Sequence, residues 1–189
     1  WIPCVGNQPP RGSVKWMNSV SVVNPVRFGV RKNPYEMLKR VFDSGADGVL
    51  YLEDDVELAT DAVALANWYW ALPNNNDYLC LNLYNHDSVA TNHPETVVVS
   101  DKFSALGIGI TKHQWYSWFE PSWWKDPRGW DFCFTDLIAK GLKTLQPKQS
   151  RSHHIGRFGG VHYRANMHDH LYVHNHMYVG PGIENFRIE

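Results

Sequence analysis

The sequence predicts an α/β fold, a mostly parallel mixed sheet flanked by helices, and three observations carry that expectation. Strand-like and helix-like segments alternate through the middle of the chain. One of them, "GVLYL" at residues 48 to 52, is a continuous apolar run of the kind buried in a parallel sheet. It ends abruptly in Glu53, Asp54 and Asp55, and open α/β sheets bind ligands at the carboxyl ends of their strands.

The elements follow in order. Ile2 to Val5 and Val20 to Val23 read as short extended segments separated by a Pro/Gly-rich turn region. "NPYEMLKRVFDSGAD" predicts a helix with Asn33 as N-cap and Pro34 at its first position. Met37, Leu38, Val41 and Phe42 form its apolar face, and Ser44-Gly45 end it. After "GVLYL", a second helix is expected from about Thr60, its N-cap, to Leu72, with Ala62, Leu65, Ala66 and Tyr69 buried. "DYLCLNLY" and "ETVVVSD" read as strands. "SALGIGITKHQWYSWF" reads as a strand that enters a helix near Lys112. A helix from about Trp130 to Lys140, closed by Gly141, follows a loop, and the chain beyond Gln146 is its least regular part.

With 189 residues, 43% of them hydrophobic, the chain is long enough for one domain with a real core. Its net charge of −1 disfavours a general polyanion binder. No apolar run approaches the ~20 residues of a membrane helix, so the expected partners do not include a membrane. A cytoplasmic or otherwise soluble protein of bacterial or viral origin is expected. Cys4, Cys80 and Cys133 show no metal-binding spacing and fit a reducing compartment, with one bridge among them left open. Five of the nine Trp lie between Trp115 and Trp130, which reads either as a thick aromatic core or as a partly exposed stacking wall for sugars.

Three adjacent carboxylates repel one another by on the order of a few kcal/mol unless a cation or hydrogen bonds offset the repulsion. Oxygen-only ligands suit Mg²⁺ or Mn²⁺, which commonly take one or two protein carboxylates plus phosphate oxygens of a substrate. The competing reading places these acids, solvated, at the start of the next helix.

An apolar strand ending in an acidic triplet resembles the DxD-type motif of GT-A glycosyltransferases. "YLEDDVELATDAVALANW" is similar to the corresponding region of the N-acetylglucosaminyltransferase I family. "FSALGIGITKHQWYSWFEPSWWKDPRGWD" and "PKQSRSHHIGRFGGVHYRANMHDHLYV" resemble later segments of that family in the same order, so the resemblance spans residues 48 to 173. It implies a single GT-A-like (Rossmann-like) catalytic domain over 1–189. Residues 1–110 would form the nucleotide- and metal-binding half, and 111–189 the acceptor half and a C-terminal lid. Only 52 residues precede Glu53, so the fold is expected to be compact or N-terminally shortened.

The implied activity is metal-dependent, inverting transfer of a sugar from a nucleotide donor, with a UDP-sugar the expected one, to a hydroxyl acceptor on a glycan, a protein or a modified DNA base. Asp55 would ligate Mn²⁺ or Mg²⁺, while Glu53 and Asp54 would hold the ribose or metal-bound waters. Asp131 would be the general base, with Asp136 the weaker candidate, and Arg151 and Arg157 would clamp phosphates. Seven of the ten His lie between His153 and His176, and His170 is the expected nitrogen ligand, with His168 and His174 behind it. Two other classes compete. A phosphoesterase or nuclease would use the acids and histidines for two metals, and a non-catalytic carbohydrate-binding module would use the Trp-rich region. A DNA acceptor would need a basic face from Arg27, Arg31, Lys32, Lys39 and Arg40.

Overall fold

The computed structural model describes residues 26, 28–156 and 175–189. Eight strands and five α-helices appear among them in the order α1 (Gly29–Asp43), β1 (Gly48–Tyr51), β2 (Val56–Leu58), α2 (Ala62–Ala71), β3 (Leu81–Asn82), β4 (Thr96–Ser100), β5 (Ile108–Thr111), α3 (Lys112–Gln114), α4 (Glu120–Ser122), α5 (Trp130–Ala139), β6 (Thr144–Pro147), β7 (Ser152–His154) and β8 (Arg187–Ile188). A π-helical turn, Trp115–Phe119, joins α3 to α4. Six strands form one sheet in the order β1-β5-β3-β6-β4-β8, and β2 pairs with β7 in a separate two-stranded sheet. The α/β class is as expected and the sheet is mixed: β3·β6 and β4·β8 are parallel, while β1·β5, β5·β3 and β6·β4 are antiparallel.

The "GVLYL" run is a strand, but it is antiparallel and, among the described residues, pairs only with β5. Its apolar continuity has another cause. Val49 and Tyr51 pack into a cluster with Leu38 and Phe42 of α1, whereas Leu50 and Leu52 pack into a cluster with Leu65 and Tyr69 of α2. Both faces are covered, so successive side chains are all apolar whichever way the neighbouring strand runs.

Helix boundaries follow tertiary contacts where these differ from local signals. α1 begins at Gly29, not at Asn33, and contains Pro34. Near the start of a helix the missing Pro34 N–H removes only one ladder bond. The extra turn is held from outside: Arg31 Nη2 donates to the Trp123 carbonyl at 2.8 Å, and the Trp123 indole donates to the Arg31 carbonyl at 3.0 Å. Thr60 does not cap α2; its hydroxyl donates to the Gly180 carbonyl at 3.2 Å, and Asp61 holds the N-cap position without a side-chain cap bond. The strand-to-helix step at Lys112 is as expected. Thr111 and Gln114 form a capping box, with Gln114 N–H to Thr111 Oγ1 at 3.2 Å and Thr111 N–H to Gln114 Oε1 at 2.8 Å. Beyond Gln146, where little regularity was expected, the end of β6 and all of β7 are strands. The expected segments at Ile2 to Val5 and Val20 to Val23 lie outside the described residues.

The tryptophan-rich segment is mostly core. Trp115 and Trp123 are fully buried and Trp130 is 5% exposed. Trp123 stacks on Trp130 with centroids 4.5 Å apart and rings 4° from parallel, and Phe119 and Phe134 complete the layer. Of the two readings of Trp115 to Trp130, the aromatic core holds and the stacking wall is corrected. Of these five, only Trp124 is substantially exposed, and it packs on Tyr35 and under the Arg31 guanidinium. Cys80 and Cys133 are buried free thiols. Among the described residues no helix is long and apolar enough to cross a membrane.

Candidate functional site

β1 delivers the acids. The chain leaves the sheet after Tyr51, and Asp54 and Asp55 form a tight turn before β2 reverses away. The acids therefore sit between two strands; α2, the helix whose start was the competing placement, begins only at Ala62. Asp54 is exposed, and Glu53 and Asp55 are partly buried.

The electrostatics of the cluster centre on Glu53. Burial first, then the charges of Asp55 and Asp54, push its carboxyl up to about 7; His154 opposes the shift and Asp131 adds to it. The Tyr51 hydroxyl donates to Glu53, and burial, followed by the charges of Glu53, Asp54 and Asp55, holds that phenol well above its ordinary range.

Asp131 comes to the cluster from the far side of the sequence. It lies in the first turn of α5, and Trp130 before it meets Tyr51 edge-on at 5.9 Å. Tyr51 is two residues before Glu53, so this aromatic contact sets the start of α5 against the end of β1. Gly129 leaves room for the carboxylate, since a Cβ there would lie 2.5 Å from Asp131 Oδ1. Arg128, on the same turn, bonds Asp126 through Nε and Nη2 and rests on the Phe132 ring at 4.4 Å. Asp136, further along α5, is exposed.

The second wall of the site is β7. In the β2·β7 ladder Val56 lies opposite His154, and the Ile155 N–H extends the pairing to the Asp55 carbonyl at 2.8 Å. His154 Nε2 is 3.2 Å from Asp55 Oδ2, with the imidazole only 8% exposed. Gly156 closes over the pair: a Cβ there would fall 2.3 Å from Asp55 Oδ2 and 2.9 Å from His154 Cε1.

Arg151 is placed differently from its expected role as a phosphate clamp. Its side chain is fully buried, with Nε donating to Asp61 Oδ1 at 2.8 Å, Nη1 to the Gln149 carbonyl at 2.6 Å and Nη2 to the Pro94 carbonyl at 2.6 Å. The rings of Tyr178 and Phe186 lie 4.3 and 5.8 Å from the guanidinium carbon. Every arm of the guanidinium is engaged inside the protein, so Arg151 is an internal anchor. Arg157, His168, His170 and His174 lie outside the described residues.

A metal is tested here by the donor chemistry. Among the described residues no group of three or more His, Cys, Asp or Glu side chains is arranged to hold one. A hard cation shared with a substrate needs fewer, one or two carboxylates completing its shell with water and phosphate oxygens. Burial first, and then the charges of Asp55 and Asp54, raise the Glu53 carboxyl. Glu53, Asp54 and Asp55 are the oxygen donors that a hard cation such as Mg²⁺ or Mn²⁺ would take.

Of the basic face that a DNA acceptor would need on α1, Lys39 is paired with acids, and Arg31 and Lys32 are engaged by carbonyl or ring contacts. Arg31 is tied to Trp123 and Trp124, Lys39 pairs with Asp43 at 2.9 Å and approaches Glu120 at 3.7 Å, and Lys32 lies over Phe28. Arg27 lies outside the described residues. Tyr51, Arg128 and His154 are the site residues that sequence reasoning missed. Arg128 and His154 each lie inside a segment that carries the resemblance, and His154 also belongs to the cluster of seven His, but neither is marked out within them. Compared with known proteins, the chain matches no family model and no curated sequence.

Proposed function

We propose that the chain is a GT-A-type, metal-dependent inverting glycosyltransferase, moving a sugar from a nucleotide donor, with a UDP-sugar the first to test, onto a hydroxyl acceptor. The observation that carries this reading is that Trp130 meets Tyr51 edge-on at 5.9 Å, which sets Asp131, in the first turn of α5, on the side of the acids that follow β1. Residues that far apart in sequence converge because Trp130 packs on Tyr51.

The roles divide by position. Asp55, held by β2 and β7, is the residue to ligate Mn²⁺ or Mg²⁺, and Glu53 and Asp54 face the ribose or the water shell. The ion's chemical contribution is charge neutralisation on the departing diphosphate. Asp131 accepts the proton of the acceptor hydroxyl as its oxygen bonds to the sugar's anomeric carbon. The bond to phosphate breaks with its electron pair on the leaving diphosphate, and the anomeric configuration inverts. Arg157 remains the phosphate contact that the resemblance implies, and His170, taken from the histidine cluster in departure from that family, the nitrogen ligand.

The test is UDP release from a panel of UDP-sugars and acceptors with Mn²⁺, alongside calorimetry of UDP with and without the ion. Mn²⁺-dependent UDP binding and turnover are expected. Asp55→Ala should abolish the metal dependence, and Asp131→Asn should slow turnover by about 10²- to 10⁴-fold while leaving UDP binding intact. Full activity in either variant would remove that residue from the mechanism, and UDP binding indifferent to Mn²⁺ would remove the reading.

A further inference from the structure

Resting on that reading, we infer that His154 is the positioning residue for Asp55, and that β7 is a rigid arm whose function is to carry it there. A backbone bond holds Asp55, and two close approaches meet its carboxylate. Backbone pairing places Asp55 and Ile155 in register at 2.8 Å, His154 Nε2 stands 3.2 Å from Asp55 Oδ2, and Gly156 passes so closely that no side chain fits between. The Nε2–H donates to Oδ2 and fixes the plane of the carboxylate, which a backbone bond alone leaves free to rotate about its side-chain torsions.

The arm is anchored at its other end. Arg151, immediately before β7, is locked to Asp61 with both side chains fully buried, and its N–H donates to the Leu83 carbonyl at 2.7 Å. Ser152 Oγ donates to the Leu106 carbonyl at 2.5 Å. Two residues separate Arg151 from His154, so the core's rigidity reaches Asp55 through a strand too short to flex. Carboxylates that ligate metals are themselves held by hydrogen bonds, and losing such a partner commonly weakens metal affinity about 10- to 100-fold. That is the effect expected of His154.

The experiment titrates the full chain with Mn²⁺, following the free ion by electron paramagnetic resonance, with and without UDP, and records metal-free melting curves. His154→Phe keeps the bulk and removes the donor, and should weaken Mn²⁺ binding about 10- to 100-fold at a metal-free melting temperature close to that of the parent. His154→Gln restores an N–H near the Nε2 position and should recover binding to within about threefold of the parent. Gly156→Ala presses on the same carboxylate from the other side and should also weaken binding, which keeps the test decisive if His154→Phe does not fold. Parental Mn²⁺ affinity in folded His154→Phe, or no recovery in His154→Gln, overturns the inference. So does a directly coordinated nitrogen that is present in the parent's pulsed spectrum and lost in His154→Phe, which would make His154 a ligand. Asp55→Asn separates the two levels: binding that needs Asp55 but ignores His154 sinks this inference alone, and a parent protein with no Asp55-dependent binding sinks the functional reading with it.

Discussion

Glu53 stands near half-protonation at neutral pH because burial and its acidic neighbours lift its carboxyl from 4.5 to about 7. The unfolded chain releases that proton near 4.5, so between about 4.5 and 7 the folded protein binds more protons than the unfolded one, and stability falls as pH rises through this window. Below the window both states are protonated and the contribution is complete; above about 7 it is gone. The shift corresponds to an upper bound of about 3 kcal/mol. Glu53→Gln cannot ionise, so in metal-free protein it should match the parent near pH 5 and exceed it by up to about 3 kcal/mol at pH 8. Urea unfolding at the two pH values checks this, and an advantage equal at both would show that Glu53 does not feel the cluster. The residue-level chemistry was partly legible. An acidic triplet after an apolar run announces itself, and Asp131 follows a Trp in a recognisable segment. The His154 contact was not legible, because it depends on the register of β2 against β7, which no local pattern encodes.

Among the elements, β7 shows most clearly how a charged residue can be misread from sequence. Arg151 sits among Ser and His, which suggested a mobile phosphate-binding loop, yet its partner Asp61 lies at the N-cap of α2 and buries it completely. Sequence spacing cannot report a pairing made across that separation. Removing one member of a buried pair leaves the other charge without compensation and costs about 3–5 kcal/mol, whereas replacing both with apolar groups is frequently neutral. Arg151→Met should therefore destabilise by about 3–5 kcal/mol, and the double variant Arg151→Met with Asp61→Leu should recover most of that loss. Denaturant melts of the two singles and the double measure the coupling; additive losses would mean that the pair is not the anchor. Helix existence was legible for α1, α2 and α5 because their apolar spacing is strong. Strand direction was not, since the apolar run of β1 reports coverage on two faces by α1 and α2 and says nothing of which way its neighbour runs.

Across the whole molecule, the last described residues close the side of the fold that holds the Arg151 anchor. Phe186 is 7% exposed and packs with Leu65, Ala66 and Tyr69 of α2 and with Leu145 of β6, while β8 adds a parallel edge to β4. Arg187 N–H donates to the Glu95 carbonyl at 3.2 Å and Glu189 N–H to the Val97 carbonyl at 2.9 Å. Lys148 and Glu189 pair at 2.9 Å, but both are well exposed and solvent screens the pair. The apolar term dominates, because removing a buried Phe from a packed core costs about 3–5 kcal/mol. Ending the chain after Gly182 should thus lower unfolding free energy by about 3–5 kcal/mol, while Glu189→Ala alone should leave it nearly unchanged. Since the Phe186 cluster shares α2 with Asp61, and Asp61 holds the arm that carries His154, the truncated chain should also bind Mn²⁺ more weakly than the parent at temperatures where both remain folded. A truncation that melts like Glu189→Ala would show that this edge is accessory, and one that loses stability but keeps parental Mn²⁺ affinity would show that the core and the acidic site are mechanically separate.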